Sequence, residues 1–259
     1  MGLRSNLRFG LFLAREVSYH LISRRAKRTG QENVPPNIFQ IWHDTSQVPK
    51  RMHMAIEKVQ DASRGFQHFL FDDSSAEKFL LEHFGQRVFS AYQKLIPYAY
   101  RSDLLRYCLL YKLGGVYVDV KYIPIGGFEF SELLGQQHLC SDVDGYGVYN
   151  AIIASPPNDA FFRRIIDRVV KNAEESYYGD SPLSPTGPWL LRSELNEWPH
   201  RFQDLEHACW GNDPRYRFVK YHRSYILRCY SGYNEDCRVL ESASLPHYSV
   251  LWKSRKSYR

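Results

Sequence analysis

An acidic and a basic side chain lie close together at the end of a predicted strand. The sequence VYVDV at 116–120 has the aliphatic and aromatic residues of a buried strand. Side chains two positions apart share a face of a strand, so Tyr117, Asp119 and Lys121 are predicted to lie together. A carboxylate at a strand end can hold a divalent cation that bridges a diphosphate, or it can bind a sugar hydroxyl.

A second pair of charged side chains lies on the helix predicted just before this strand. The helix is predicted over 102–115, with Ser102 as its N-cap and two glycines at its end. Asp103 and Arg106 are three positions apart and therefore share a helix face. The short helix–glycine–strand connection should bring that face near Asp119. A surface ion pair is the alternative reading of such a pair taken alone.

The elements that position these side chains alternate between strand and helix. This alternation predicts an α/β fold, Rossmann-like, with one mostly parallel central sheet and ligands at the carboxyl ends of its strands. The domain is predicted to span 34–259. Strands are predicted at 35–43, 66–73, 116–120 and 147–155, and helices at 74–84, 102–115 and 158–173.

The segment around these charged residues resembles a known motif. In RSDLLRYCLLYKLGGVYVDVKY, a Ser-Asp pair, an arginine, an apolar helix and two glycines precede a strand that ends in an acid. This order is similar to the central motif of the DXD-type glycosyltransferases of the capsular-polysaccharide sugar-transferase family, which are related to the clostridial glucosylating toxins. Further segments similar to that family lie in matching order at 35–43, 149–162, 186–188 and 246–252.

The resemblance implies a GT-A fold and transfer of a hexose from a nucleotide-diphosphate sugar with retention at the anomeric carbon. It implies roles in binding and catalysis for residues at matching positions. These are Gln40, Ile41 and Trp42 against the nucleobase, Asp103 and Arg106 on the donor sugar and diphosphate, Tyr117 in the pocket, Asp119 as the first DXD acid, Asn150 and Gly187 near the sugar, and His247 and Trp252 closing over the phosphates.

Lys121 departs from the family pattern because it stands where the second acid of the DXD pair would be. The resemblance implies Mn²⁺ or Mg²⁺ held at Asp119, but an ammonium group cannot ligate a metal and would repel one. Lys121 could instead contact the pyrophosphate and supply the positive charge that a metal normally gives the leaving group. Metal dependence is therefore an open question at this stage.

The charge of the protein is concentrated at the N-terminus. Residues 1–30 hold seven basic side chains and one acid, so this segment accounts for the whole formal net charge of +6. A neutral body with a basic segment argues against a nucleic-acid-binding domain. The segment predicts a basic amphipathic helix that lies on an anionic membrane surface, and a helix docked on its own domain is the alternative.

The five cysteines form no CxxC pair and no ligand spacing with histidine, which favours a reducing, cytosolic compartment. With the basic segment, this predicts a cytoplasmic protein at the inner face of a membrane. No HExxH, GxSxG or strand-linked GxGxxG pattern is present, so several hydrolase classes and dinucleotide enzymes are not supported.

These observations predict a hexosyltransferase that acts on a glycan or lipid-linked acceptor hydroxyl. Two alternatives remain open, and the first follows from the missing second DXD acid. One is a sugar-nucleotide-binding protein that has lost turnover, and the other is a membrane-peripheral scaffold whose basic segment is its functional part.

Overall fold

The computed structural model describes residues 34–143, 147–195, 204–209, 213–241 and 246–259. The basic segment 1–30 and its predicted amphipathic helix lie outside these residues.

The described residues form an α/β fold, as predicted. The strands are β1 (Asn37–Ile41), β2 (Gln67–Phe71), β3 (Gly115–Val118), β4 (Tyr122–Pro124), β5 (Cys140–Ser141), β6 (Ile152–Ser155), β7 (Leu205–Cys209), β8 (Arg217–Tyr221) and β9 (Ser224–Cys229). The helices are α1 (Lys50–Asp61), α2 (Asp73–Lys94), α3 (Tyr98–Leu113), α4 (Ala160–Glu174), α5 (Pro188–Leu195), α6 (Tyr233–Glu241) and α7 (Tyr248–Lys253).

The strands form two sheets, where the sequence predicted one mostly parallel sheet. The first has the order β2-β1-β3-β6, in which β1 pairs in parallel with β2 and β3, and β3 pairs antiparallel with β6. The second has the order β4-β9-β8-β7-β5 and is antiparallel except for the β5–β7 pair. The fold class is confirmed, but the sheet is mixed because β6 returns antiparallel beside β3.

The core lies on both faces of the first sheet, as strand alternation requires. Phe39 and Tyr117 point into one cluster, which contains the apolar residues of α2, α3 and α4. Ile38 and Val116 point into a second cluster, which contains inward-facing residues of β7, β8 and β9. The first sheet therefore separates a helical layer from the second sheet.

Helix α3 begins four residues before the predicted N-cap. Its N-cap is Pro97, whose carbonyl accepts from the backbone N–H groups of Tyr100 and Arg101 at 3.0 and 3.1 Å. Ser102 lies inside the helix, so its predicted role as N-cap is wrong. Tyr100 is buried in the same cluster as Leu104 and Tyr107, which follow it at helical spacing, so the apolar face of the helix extends into the turn before Ser102.

The two glycines that end α3 allow β3 to begin at once beside β1. Gly115 has φ 136°, and a Cβ on it would lie 2.6 Å from the carbonyl oxygen of Asn37. Gly114 has φ 63°, and its carbonyl accepts from the Asn37 side chain at 3.0 Å. Only glycine fits both the backbone conformation and the space, so the predicted helix–glycine–strand connection is confirmed.

Within the part of the chain that the structure describes, every helix is too short or too polar to cross a membrane.

Candidate functional site

The carboxylate of Asp119 lies at the carboxyl end of the first sheet. Strand β3 ends at Val118, and the Asp119 N–H donates to the carbonyl of Ala151 at 2.9 Å. The Asp119 carbonyl accepts from the Tyr122 N–H at 3.1 Å, which closes a turn immediately after the strand. This turn fixes the backbone at Asp119.

Three donors surround the Asp119 carboxylate. Its Oδ1 accepts from the Tyr117 hydroxyl at 2.6 Å, and its Oδ2 accepts from Lys121 Nζ at 2.6 Å. Arg106 Nη1 lies 3.4 Å from Oδ1. Burial disfavours the charged form, but the Lys121 and Arg106 cations outweigh it and lower the pKa of Asp119 below its ordinary value of 3.8. The predicted shared face of Tyr117, Asp119 and Lys121 is confirmed.

The Asp103 carboxylate is held by a different set of donors. Its Oδ1 accepts from Asn150 Nδ2 at 2.9 Å and lies 3.2 Å from Arg106 Nη2, and its Oδ2 accepts from the Thr186 hydroxyl at 2.7 Å. A Cβ on Gly187 would lie 3.3 Å from the same Oδ2. Burial is the largest influence here and raises the pKa of Asp103 despite the nearby Arg106. Asp103 and Arg106 therefore form a buried network and not a surface ion pair.

Arg106 connects the two carboxylates. Its side chain is 7% exposed, and its guanidinium contacts both acids and donates from Nη1 to the carbonyl of Asn150 at 2.6 Å. It also lies 4.3 Å from the centre of the Tyr117 ring, a cation–π contact. These contacts hold the guanidinium in one orientation at the end of the sheet.

A cleft of about 450 Å³ opens above this cluster. Six of the residues predicted from the resemblance line it, and they come from β1, α3, the end of β3 and the start of α7. They are Ile41, Trp42, Arg106, Tyr117, Asp119 and His247. The fold thus brings together parts of the chain that are more than 200 residues apart.

The other predicted residues do not line this cleft among the described residues. Asp103, Asn150 and Gly187 lie behind it in the buried network, and Lys121 lies behind Asp119. Three of them are little exposed: Asn150 is 8% exposed, Asp103 is 7% exposed, and the Lys121 side chain is 13% exposed. These side chains are placed to support the cleft-lining residues.

Gln40 and Trp252 lie farther from the cleft than the resemblance implied. Gln40 is fully buried, and its Oε1 lies 2.9 Å from Nε2 of His68. Burial lowers the pKa of His68 to about 4, so this ring is neutral near pH 7. Trp252 donates from its indole N–H to the Tyr178 carbonyl at 2.7 Å. Strand alternation turns Gln40 away from Ile41, which does line the cleft.

Two arginines in the cleft were missed by the sequence reasoning. Arg217 is the first residue of β8, and Arg238 lies in α6 beside Tyr233 and Asn234, which also line the cleft. No local motif marks these residues, and the sequence from 174 onward is irregular. The aromatic-rich composition of 210–233 was the available signal, since mixed apolar and hydrogen-bonding surfaces suit polar ligands.

The residues around Asp119 do not fit a divalent metal ion. Both carboxylate oxygens already accept hydrogen bonds, and two of the three donors are cations. Two unit charges about 4 Å apart near a protein surface interact by roughly 4 kcal/mol, and a divalent ion would face about twice that repulsion from each cation. No cluster of three or more histidine, cysteine or acidic ligands occurs among the described residues. The role of Asp119 as a metal ligand stays a prediction, and the Tyr117, Lys121 and Arg106 donors around its carboxylate argue against it.

Comparison with known proteins gives a family match and a fold match. Residues 49–139 match the family described as "Glycosyltransferase sugar-binding region containing DXD motif". This range holds Asp103, Arg106, Tyr117, Asp119 and Lys121. A solved structure described as "PaToxG Glycosyltransferase" superposes with a TM-score of 0.54 at 20% identity, over 65% of this chain and 71% of that one. This likeness concerns the fold alone and confirms the predicted GT-A-like architecture.

Two curated relatives are mannosyltransferases by name, both from Schizosaccharomyces pombe. The chain is 28% identical over 237 residues to "Inositol phosphoceramide mannosyltransferase 2", and the aligned region covers 88% of this chain and 63% of that protein. It is 30% identical over 223 residues to "Inositol phosphoceramide mannosyltransferase 3", and the aligned region covers 84% of this chain and 61% of that protein. The chain thus spans less than two thirds of the length of either relative.

Proposed function

Because these matches make the chain a relative of the DXD-type glycosyltransferases, we propose that it transfers a hexose from a nucleotide-diphosphate sugar to an acceptor hydroxyl, with retention at the anomeric carbon. The observation that carries this proposal is the Asp119–Arg106–Tyr117 cluster at the end of β3. The cluster faces a cleft of about 450 Å³, and Asp119 stands where the resemblance implies the first DXD acid.

The cleft supplies what the breaking of a glycosidic bond requires. Negative charge grows on the leaving diphosphate, and a cation already held in place stabilises it without further reorganisation. Arg106 is such a cation, because two carboxylates and the Asn150 carbonyl fix its guanidinium. The Trp42 and Ile41 side chains offer an apolar surface to a nucleobase in the same cleft.

Each of the two acids has a separate proposed role. Asp119 lines the cleft and binds the donor sugar or its hydroxyls, while its low pKa keeps it ionised at neutral pH. Asp103 is a positioning residue, because it holds Arg106 and Asn150 but does not line the cleft. The support for this division is the different exposure of the two side chains, 20% for the Asp119 side chain and 10% for the Asp103 side chain.

The names of the curated relatives favour mannose as the hexose and a membrane lipid as the acceptor. A glycan acceptor remains the other form of this proposal. The basic residues of the segment 1–30 support a peripheral position at the inner face of a membrane, because anionic lipids attract each of them by about 1 kcal/mol.

A turnover assay with the purified full chain tests the proposal. It should use a panel of nucleotide sugars, measure release of the nucleoside diphosphate, and follow product anomers by NMR. Asp119→Asn should remove activity, while Asp167→Asn is the matched control, since Asp167 pairs with Arg163 on the exposed face of α4. Wild-type activity in Asp119→Asn, or binding of no donor at all, would contradict the proposal.

A binding protein without turnover is the second candidate, and Lys121 in place of the second acid is the observation that favours it. Calorimetry against the same donors separates the two. Donor binding without release of nucleoside diphosphate, in the presence or absence of acceptor, would support the binding protein. Absence of donor binding together with vesicle binding by residues 1–30 would support the membrane-peripheral scaffold.

A further inference from the structure

Two arginines outside the matched family region enter the same cleft as Asp119. Arg217 begins β8, which is held between β7 and β9 in the second sheet. Arg238 lies on α6 and also lines the cleft. Both residues follow the matched range 49–139 by more than 70 positions, so the sugar-binding motif does not account for them.

The helix that carries Arg238 is anchored to its neighbours. Asp236 on α6 accepts from Arg51 Nη2 of α1 at 2.6 Å and from the Tyr230 hydroxyl at 3.0 Å. Tyr233, the first residue of α6, packs against Tyr230 with ring centres 5.7 Å apart. Arg238 is therefore presented to the cleft from a helix whose position is set by other contacts.

The charge of the cleft lining favours an anionic occupant. Three arginines line it, Arg106, Arg217 and Arg238, and Asp119 is the one carboxylate among the described lining residues. That carboxylate is already neutralised by Lys121 and Arg106. Arg217 and Arg238 add two guanidinium groups to the lining beside Arg106, and Arg217 also acts electrostatically on the Asp213 carboxylate outside the lining.

Lys121 is poorly placed to supply this charge to a ligand. Its Nζ donates to Asp119 Oδ2 at 2.6 Å and lies 5.2 Å from the centre of the Tyr149 ring, and the residue does not line the described cleft. The donors around Asp119 also oppose a divalent metal. The counter-charge for a diphosphate in this cleft must then come from other side chains.

We propose that Arg217 and Arg238 bind the diphosphate of the donor and take the place of a divalent cation. A guanidinium carries a fixed planar set of donors that matches phosphate oxygens two at a time, and it stays charged at any working pH. Binding of the nucleoside diphosphate is then independent of metal. The inference rests on the proposed donor class but not on turnover.

Calorimetry with UDP, GDP, ADP, CDP and dTDP, each in EDTA and then with Mn²⁺, tests the inference on the full chain. For the diphosphate that binds best, Arg217→Gln and Arg238→Gln should each weaken binding roughly tenfold or more, because each removes charged hydrogen bonds. The same two substitutions should weaken binding of the corresponding nucleoside monophosphate much less. Mn²⁺ should change wild-type affinity by less than about twofold.

Arg228→Gln is the matched control, because Arg228 is an exposed arginine of β9 that does not line the described cleft. It should bind the diphosphate like the wild type. Arg217→Lys should recover part of the affinity, since it keeps the charge and loses the planar donor set. Thermal unfolding midpoints identify a variant that has lost its fold. If Arg217→Gln fails to fold, Arg238→Gln still tests the inference, because Arg238 is exposed.

The possible outcomes separate the inference from the proposed function. Diphosphate binding that requires Mn²⁺, or wild-type affinity in both arginine variants, would overturn the inference and leave the glycosyltransferase proposal standing. Absence of binding to every diphosphate with and without Mn²⁺ would overturn both. Metal-independent binding that depends on the two arginines supports the inference even if no transfer is detected.

Discussion

Asp103 and Asp119 contact the same guanidinium but lie in opposite electrostatic environments. Asp103 faces one cation and two neutral donors in a closed network behind the cleft. Asp119 faces two cations and a phenol at the cleft floor. The pKa of Asp103 is raised by burial, whereas that of Asp119 is lowered because its two cations outweigh burial.

The difference shows that the number of adjacent cations, and not burial alone, decides whether a carboxylate in this region is favoured in its charged form. A carboxylate enclosed in a network with one cation and two neutral donors serves to position its neighbours. A carboxylate kept ionised beside an open cleft can contact a ligand. Lys121, the residue that stands where the resemblance places the second DXD acid, is one of the two cations that keep Asp119 ionised.

The largest expected effect is the loss of activity in Asp119→Asn. The variant removes the cleft-facing charge but keeps the shape of the side chain, so transfer should fall by about 1,000-fold. Steady-state kinetics with the best donor measures this. Asp167→Asn serves as control, and a fall of less than about tenfold would remove the distinction between the two carboxylates.

Asp103→Ala should cost the most stability. It removes the buried carboxylate that accepts from Asn150 Nδ2 and the Thr186 hydroxyl and that pairs with Arg106, which should cost roughly 3–5 kcal/mol of the free energy of unfolding. Asp103→Asn should cost less than half of that, because the amide keeps one acceptor and burial already disfavours the charge. Urea unfolding measures both. Equal losses would contradict a positioning role that depends on shape and hydrogen bonds.

Lys121→Ala should lower the rate of transfer by about 10- to 150-fold through Asp119, because the charged hydrogen bond that orients this carboxylate and keeps it ionised is lost. The structure attributes the contact to Asp119, whose Oδ2 accepts from Nζ at 2.6 Å. EDTA should leave the wild-type rate unchanged. A variant within about threefold of wild type, together with inactivation by EDTA, would instead indicate a metal at Asp119.

The smallest effect is expected in the pH dependence of stability. The lowered pKa of Asp119 adds stability that is complete above its unfolded value of 3.8 and is lost as the pH falls through the folded-state pKa. The stability difference between wild type and Asp119→Asn should therefore shrink in acid. Asp103 has a raised pKa, so the wild type should gain stability relative to Asp103→Asn as the pH falls through that pKa toward 3.8.

Unfolding curves between about pH 2.5 and 7 would show these opposite trends. Acids far from Arg106 titrate alike in wild type and variant and cancel in the difference, so the difference reports on the Asp103–Asp119 pair around Arg106. Trends of the same sign for both carboxylates would show that their environments are not distinct.

Local sequence was sufficient for the central part of the site. The spacing of Asp103 and Arg106 on a helix, the two glycines and the period-two strand act through neighbouring residues, and the structure confirms that Arg106, Tyr117, Asp119 and Lys121 meet. The α/β class followed from alternating elements. The start of α3 was predicted four residues too late, although Tyr100 already continues the helical spacing of Leu104 and Tyr107.

The sequence by itself determined which side chains gather at the end of β3, because helix and strand periods place near neighbours on a common face. Tertiary structure alone decided that Gln40 is buried beside His68, that β6 pairs antiparallel with β3, and that Arg217 and Arg238 reach the cleft. These features depend on how the two sheets and α6 pack against one another. Such packing depends on contacts between residues far apart in the chain, and no local pattern encodes them.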